Sequence, residues 1–235
     1  MSTSGGATWK KLDEGMDDGY AIAVAGNSLY QAGCVLDEES SVRKMAVFQS
    51  LDGGKTWARV MLHNNASVAK AIAAREGKKT VLFAGGQVTS FSSPKSLLYK
   101  SMNGGATWSE VTDLFGASTS VNAICFDPLN GKRVLVAADS GAWISEDDGV
   151  SWVAPSQTVA MTSIVPNSGK AGQFFAGSKD GVWMSDDGGK SWSKFGEGLV
   201  DHWITRLEID AKNSILYAGT SRSGVMRMSL KVRGK

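Results

Sequence analysis

Short apolar runs separated by turn-forming residues extend along the whole chain. One set of runs, rich in β-branched, aromatic and alanine residues, comprises residues 29–33, 82–85, 135–138, 174–177 and 216–219. Glycine, asparagine and aspartate bound most of these runs, as expected for strands joined by tight turns. No stretch of about 12 or more residues has the period of an amphipathic helix. The pattern therefore predicts an all-β fold built from short strands.

An eight-residue pattern, S-x-D/N/S-x-G-x-T/S-W, recurs five times. Its copies begin at Ser2, Ser50, Ser101, Ser145 and Ser185, at intervals of 48, 51, 44 and 40 residues. Three further short runs can be aligned upstream of the later copies, so each repeat contains four predicted strands. Four-stranded sheets repeated in this way are typical of a β-propeller.

Each copy has the composition of a tight hairpin connection. A carboxylate or amide at the third position can accept hydrogen bonds from the turn, and the glycine at the fifth position supplies a conformation that other residues resist. The tryptophan is a large apolar anchor. We therefore predict structural roles for the third-position and tryptophan residues of the last four copies: Asp52, Trp57, Asn103, Trp108, Asp147, Trp152, Asp187 and Trp192.

The pattern resembles the Asp-box, or BNR, repeat of sialidases, sortilin receptors, xyloglucan-degrading glycosidases and photosystem II assembly factors. Five repeats of four strands predict a five-bladed β-propeller with four-stranded antiparallel blades, a single domain of residues 1–235, and the resemblance supports this architecture. The expected blades are residues 19–59, 68–110, 119–154, 160–194, and 203–230 together with 2–12. The chain begins inside a box and ends after a third strand. We therefore expect residues 8–11 to pair with the last blade and close the ring of a complete domain.

Charge and composition exclude several classes of function. The 25 basic and 23 acidic residues give a net charge of +2, so no nucleic-acid partner is expected. No apolar stretch is long enough to span a bilayer, so no membrane insertion is expected. Two cysteines and two histidines lack metal-ligand spacing, and no cofactor is expected. No signal peptide is visible, which predicts a cytoplasmic protein or one incorporated into a particle.

The resemblance to sialidases also allows a test for catalysis. That family has six blades, an arginine cluster, a nucleophilic tyrosine paired with a glutamate, and a Phe/Tyr-Arg-Ile/Leu-Pro motif. The motif is absent from this chain, and no facing pair of carboxylates can be nominated from spacing. We therefore predict that the protein is not an enzyme.

Variable connections are the expected binding surface, because loops on a rigid scaffold usually carry function. In such a ring the boxes lie at one end, and the more variable connections, including residues 34–45 and 86–96, lie at the other. We predict partner contacts at that end from Asp37, Glu38, Glu39, Phe91, His202 and Trp203. Trp203 has two open interpretations: a stacking surface for a sugar or protein, or a plug for the central channel.

The predicted function is therefore a non-catalytic scaffold or recognition module that binds a protein or glycan. Two alternatives are a carbohydrate-binding or glycosidase-like Asp-box protein, and a structural subunit of a larger particle such as a phage tail. The oligomeric state and the identity of the partner stay open.

Overall fold

The computed structural model of the chain describes residues 4, 6–8, 15–89, 95–111, 119–196 and 202–230. These residues form antiparallel strands and turns, without a helix in any of the described ranges. The all-β prediction is thereby confirmed. The described part of the chain also contains no helix long and apolar enough to cross a membrane. The chain divides into two compact units, Met1–Thr112 and Asp113–Lys235.

The first unit contains seven strands that are hydrogen-bonded in chain order. They are β1 (Asp18–Ala25), β2 (Ser28–Asp37), β3 (Val42–Ser50), β4 (Ala58–Arg75), β5 (Val81–Val88), β6 (Ser96–Ser101) and β7 (Ser109–Glu110). Strand β4 is shared: its first half pairs with β3 and its second half, from Ser67, pairs with β5. The outer strand of the first sheet thus continues directly into the inner strand of the second, through the predicted junction at residues 60–67.

The second unit contains three sheets of three or four strands. They consist of β8 (Val121–Phe126), β9 (Val134–Ala138) and β10 (Gly141–Ser145); β11 (Met161–Pro166), β12 (Phe174–Ser178), β13 (Gly181–Ser185) and β14 (Ser193–Phe195); and β15 (Ile204–Asp210), β16 (Ile215–Thr220) and β17 (Val225–Ser229). An isolated bridge between Ile144 and Val153 extends the first of these sheets.

Apolar clusters join consecutive sheets within each unit. In the first unit, Tyr30 and Val47 of the first sheet pack in one cluster with Ile72 and Leu82 of the second. In the second unit, one cluster joins β9 and β10 to β11 and β12, and another joins β12 and β13 to β15 and β16. Sheets packed in this way are rigid supports for the connections between their strands.

Residues 34–45 differ from the predicted loop. The β2–β3 ladder continues through Cys34↔Met45 to Asp37↔Val42, so the connecting turn comprises only residues 38–41. Cys34 and Met45 are fully buried, which ties this part of the hairpin to the core. Asp37 holds the turn, because its carboxylate accepts bonds from the Ser40 backbone N–H and the Ser40 hydroxyl.

Two predictions fall largely on residues that the structure does not describe. Phe91 lies outside the described residues. Of the expected closing strand at residues 8–11, only Thr8 is described; its backbone N–H donates to the Ser4 hydroxyl at 2.9 Å. The blade count and the closure of the ring therefore stay predictions.

Candidate functional site

The boxes form a repeated hydrogen-bond arrangement. In the box that begins at Ser50, the serine hydroxyl accepts from the Gly54 N–H at 2.8 Å and donates to Asp52. Asp52 in turn accepts from the Thr56 backbone N–H at 2.9 Å and from its hydroxyl at 2.7 Å. The boxes at Ser101, Ser145 and Ser185 repeat the serine–glycine bond at 2.7–2.9 Å. The first, third and seventh side chains of each of these boxes therefore form hydrogen bonds within their own turn.

Three of the four box tryptophans, Trp57, Trp108 and Trp192, pack against apolar clusters of the protein. Trp57, Trp108 and Trp192 donate their Nε1–H to the carbonyl of the fifth-position glycine, at 3.2, 3.0 and 2.8 Å. Trp192 is buried, whereas Trp57, Trp108 and Trp152 are half-buried. This geometry fits the predicted packing role.

Hydrogen bonding lowers the pKa of the box carboxylates. The backbone N–H of Thr56, with the Thr56 and Ser50 hydroxyls, holds the pKa of Asp52 well below its usual range. The hydroxyl and backbone N–H of Ser151 do the same for Asp147. At Asp187 burial opposes the shift, but bonds from Ser191 and Ser185 outweigh it and the pKa is lowered. These carboxylates are therefore ionised near neutral pH, where they accept hydrogen bonds from the turn and do not act as proton donors.

The acidic hairpin tip divides into a structural and an exposed part. Asp37 forms an ion pair with Lys44 in addition to its bonds with Ser40. These contacts, first of all the bond from Lys44, hold the pKa of Asp37 well below its usual range. Glu38 and Glu39 are exposed at the turn. Of the three predicted contact residues, these two glutamates present carboxylates to solvent.

His202 and Trp203 lie together in a cleft of the second unit. The cleft has a volume of about 340 Å³ and is lined by Lys179, His202, Trp203, Thr220, Ser221, Arg222 and Ser223. Trp203 is 47% exposed. The Lys179 ammonium lies 5.2 Å from the centroid of its ring, a cation–π contact. The cleft thus combines an accessible aromatic ring, two cations and three hydroxyls.

Local backbone structure fixes this cleft. Trp203 precedes Ile204, which is fully buried at the start of β15. The Trp203 carbonyl accepts from the Ser221 N–H at 2.9 Å, which connects the residue to the turn that follows β16. That turn is closed by bonds from the Thr220 N–H and hydroxyl to the Gly224 carbonyl, both at 2.9 Å. The aromatic ring is therefore held on a defined backbone.

Sequence reasoning found His202 and Trp203 but missed Lys179 and Arg222. Lys179 lies in the β12–β13 turn and Arg222 follows β16, so both are distant in sequence from the tryptophan. The repeat pattern does contain a signal for Lys179 and Arg222, because it places their connections at the same end of the strands as Trp203.

Tyr99 and Glu110 form a hydrogen-bonded tyrosine–carboxylate pair in the first unit. The Tyr99 hydroxyl donates to Glu110 at 3.3 Å, and Lys95 also donates to that carboxylate, at 2.9 Å. Burial, followed by the negative charge of Glu110, raises the pKa of Tyr99 to about 12. The phenol is therefore protonated near neutral pH.

The described residues contain no group of three or more His, Cys, Asp or Glu side chains placed to bind a metal.

Comparisons with known proteins support the Asp-box interpretation. The BNR/Asp-box repeat family matches residues 183–194, which include Asp187 and Trp192. No curated protein matches the chain. The predicted resemblance is confirmed at the level of the repeat.

Solved structures show a related fold. An ancestral GH74 enzyme has a TM-score of 0.68 at 18% identity, covering 96% of this chain and 32% of its own. The extracellular domain of the one-component system BT4673 from B. thetaiotaomicron has a TM-score of 0.62 at 11% identity, covering 88% of this chain and 27% of its own. Both are β-propeller-type proteins. The chain spans about a third or less of these structures, and the likeness concerns the fold alone.

Proposed function

We propose that this all-β Asp-box protein is a non-catalytic recognition module that binds a macromolecular partner through the cleft at Trp203. The observation that carries the proposal is the half-exposed Trp203 ring beside Lys179, in a cleft that also contains Arg222. The Trp203 ring leaves a large apolar surface accessible on a fixed backbone. A partner that covers the ring would bury that surface, which favours binding.

The chemistry of the cleft favours a protein partner with an acidic segment. Tryptophan and arginine are the residues most enriched among energetic anchors of protein interfaces. Lys179 lies over the ring, Arg222 also lines the cleft, and no acidic side chain is among the described residues that line it. An apolar partner side chain would cover Trp203 while an adjacent carboxylate pairs with Lys179 or Arg222. Glu38 and Glu39, in the other unit, stay as further predicted contacts.

Binding to immobilised peptides of matched length tests the proposal. One series pairs an aromatic or leucine residue with two glutamates, and a second series replaces the glutamates with lysines. We expect the acidic series to bind and Trp203→Ala to weaken that binding about tenfold or more, as truncation of an interface anchor does. Lys179→Gln should weaken it by a smaller factor and reduce its salt dependence.

Lys194 offers a matched control. Its ammonium lies 5.9 Å from the centroid of the Trp183 ring, so it forms the same type of contact between two residues that do not line the cleft. Lys194→Gln should bind acidic peptides like the wild type. Equal binding of the acidic and basic series, or unchanged binding by folded Trp203→Ala, would contradict the proposal.

A carbohydrate ligand is the second candidate function. It is favoured by the Asp-box repeat and by the likeness of the fold to a GH74 enzyme. An accessible tryptophan also suits stacking against a sugar ring. We propose that such binding occurs without cleavage of the glycan. Incubation with xyloglucan oligosaccharides and sialyl-lactose, followed by product chromatography, should show no turnover; product formation that scales with protein concentration would overturn the non-catalytic assignment.

We further propose that the repeats form five blades closed by the N-terminal box, as the sequence predicts. Within the described residues β17 has no fourth strand beside it, which leaves a place for residues 8–11. Ile22 on β1 is 66% exposed, whereas Ile72 and Ile164, at the same position of later repeats, are buried. Closure would cover this face. An Ile22→Cys variant should then react slowly with a thiol reagent, as an Ile72→Cys control should; rapid labelling of Cys at position 22 alone would contradict closure.

A further inference from the structure

A second cleft lies at the box end of the first unit. It has a volume of about 500 Å³, within the usual range for small-molecule sites. Its walls include Ser28, Tyr30 and Gln49 of the first sheet, and Thr80 and Gly104 of the second. The cleft therefore lies where two sheets of the same unit meet, at the end that the sequence pattern assigns to structure alone.

The internal repeat shows why this cleft is open. Strand registers place Ser28 of the first repeat at the position of Arg133 in the third, because each directly precedes the residue opposite the box serine. In the second unit the Arg133 guanidinium occupies the space beside Gly188, the fourth residue of its box. A Cβ added to Gly188 would lie 2.8 Å from the guanidinium. At the matching glycine of the first unit, Gly104, the nearest atom would be the Tyr30 hydroxyl, at 3.6 Å. Ser28 therefore leaves open the space that Arg133 fills in the third repeat.

On this wall of the cleft, the first repeat has polar residues at positions that are apolar in the third repeat. Tyr30 and Gln49 are a cross-strand pair, and the corresponding pair in the third repeat is Leu135 and Ile144. The Tyr30 side chain is 1% exposed, yet its hydroxyl accepts from the Gln49 amide at 3.0 Å and donates to the Gly104 carbonyl at 3.3 Å. Packing alone does not require this pair, because leucine and isoleucine serve at the equivalent place.

The hydrogen-bonding groups of the cleft are mostly neutral. Within the described part of the chain, the Ser28 and Thr80 hydroxyls and the Gln49 carbonyl oxygen have no hydrogen-bond partner. Hydroxyls both donate and accept, and the amide oxygen accepts, so the set can bind hydroxyl groups in either role. Val60 adds an apolar surface, and the single charged side chain of the lining, Lys79, is exposed.

We propose that this cleft binds a neutral polyhydroxylated ligand the size of one or two sugar rings. Neutral hydroxyl and amide groups beside a small apolar surface match a sugar, whereas a single exposed lysine is a weak basis for an anion site. The cleft is separate from the one at Trp203, so this proposal does not depend on the proposed function. A single sugar ring bound in so open a cleft is expected to have a Kd on the order of millimolar.

Nuclear magnetic resonance titration of the full chain, labelled with ¹⁵N, tests the proposal. The probes are D-xylose, D-glucose and cellobiose, with D-glucuronate and sulfate as charged comparisons. The neutral sugars should shift the amide signals of Gln49, Thr80 and Gly104, and glucuronate should bind no tighter than glucose. An absence of shifts up to about 100 mM neutral sugar, given the expected millimolar affinity, would overturn the proposal. So would binding of sulfate or a strong preference for glucuronate, since either would make the cleft an anion site.

Two variants and one control complete the design. Ser28→Arg should fill the cleft, as Arg133 does in the second unit, and weaken sugar binding at least tenfold. Thr80→Val removes one hydroxyl with little change in volume and should weaken binding several-fold even if Ser28→Arg fails to fold. Lys194→Gln, at a residue that lines neither cleft, should bind sugar like the wild type. If Thr80→Val retains full affinity while its melting temperature is unchanged, the site has been assigned to the wrong residues.

Discussion

Truncation of a box tryptophan tests whether the boxes hold the fold. Trp192 is 5% exposed and packs in the same cluster as Leu135, Ile144 and Phe174. Trp192→Ala removes the whole indole from this cluster, and the surrounding sheets can close the space only in part. We expect the free energy of unfolding to fall by about 3–5 kcal/mol, the usual cost of removing a buried aromatic ring.

Two further variants separate the contributions to that loss. Trp192→Phe keeps an aromatic ring but removes the 2.8 Å bond from Nε1 to the Gly189 carbonyl. Leaving that buried carbonyl unpaired should cost about 1–3 kcal/mol, less than the alanine variant. Trp108 occupies the same place in its own box but is half-buried. Because less apolar surface is lost, Trp108→Ala should destabilise less than Trp192→Ala.

Urea unfolding is monitored by far-ultraviolet circular dichroism, because the fluorescence of eight tryptophans would not report on Trp192 alone. The comparison requires equal slopes with denaturant, because a change of slope would mean that the variants do not unfold in the same transition. The expected order of stability is wild type, then Trp192→Phe, then Trp192→Ala. A loss below about 1 kcal/mol for Trp192→Ala, far under the range for buried rings, would refute the packing role.

Three further predictions concern charge and closure. Asp52, Asp147 and Asp187 have lowered pKa values, so their ionised forms stabilise the folded protein. This stabilisation is complete above the ordinary carboxyl pKa of 3.8 and is lost as the pH falls through the lower pKa of the folded state. Urea midpoints should therefore fall on acidification, and by less in Asp147→Asn, which copies the natural amide of Asn103. Arg133→Met leaves the 3%-exposed Asp127 without its cation and should cost about 3–5 kcal/mol, partly recovered by adding Asp127→Asn in a double-mutant cycle. If the N-terminal box pairs with β17, deletion of residues 1–11 should expose a strand edge and cause aggregation detectable by light scattering; a monomeric deletion variant with unchanged melting would rule out that pairing.

The strands and boxes could be predicted from sequence because their signals are local. Each box carries its own hydrogen-bond partners within eight residues, as the bonds among Ser50, Asp52 and Thr56 show. Alternation of buried and exposed positions is also readable from neighbouring residues. These features required no knowledge of which repeats pack together.

The hairpin at residues 34–45 shows where local signals fail. Its outer ladder pairs Leu36 with Arg43 and Asp37 with Val42, so polar and charged residues occupy strand positions. A charged stretch between two apolar runs is equally typical of a loop, and sequence alone could not separate these cases. The clefts were missed for a different reason: Lys179 and Arg222 reach Trp203 through turns of different strands, which only the tertiary structure brings together.

Comparison of the repeats shows which positions the fold requires and which it leaves free to vary. Positions that every repeat needs, such as the box serine and glycine, keep the same bonds in each described copy. The Ser28 and Trp203 positions differ between repeats, because strand register places Val81, Arg133 and Gln173 at the first and Ala160 at the second. Ser28 leaves open a space that Arg133 fills in the third repeat, and Trp203 presents an accessible ring where the fourth repeat has an alanine. Since other repeats fold with different residues at both positions, the repeat does not require Ser28 or Trp203, and this is one reason why we propose binding at the two clefts.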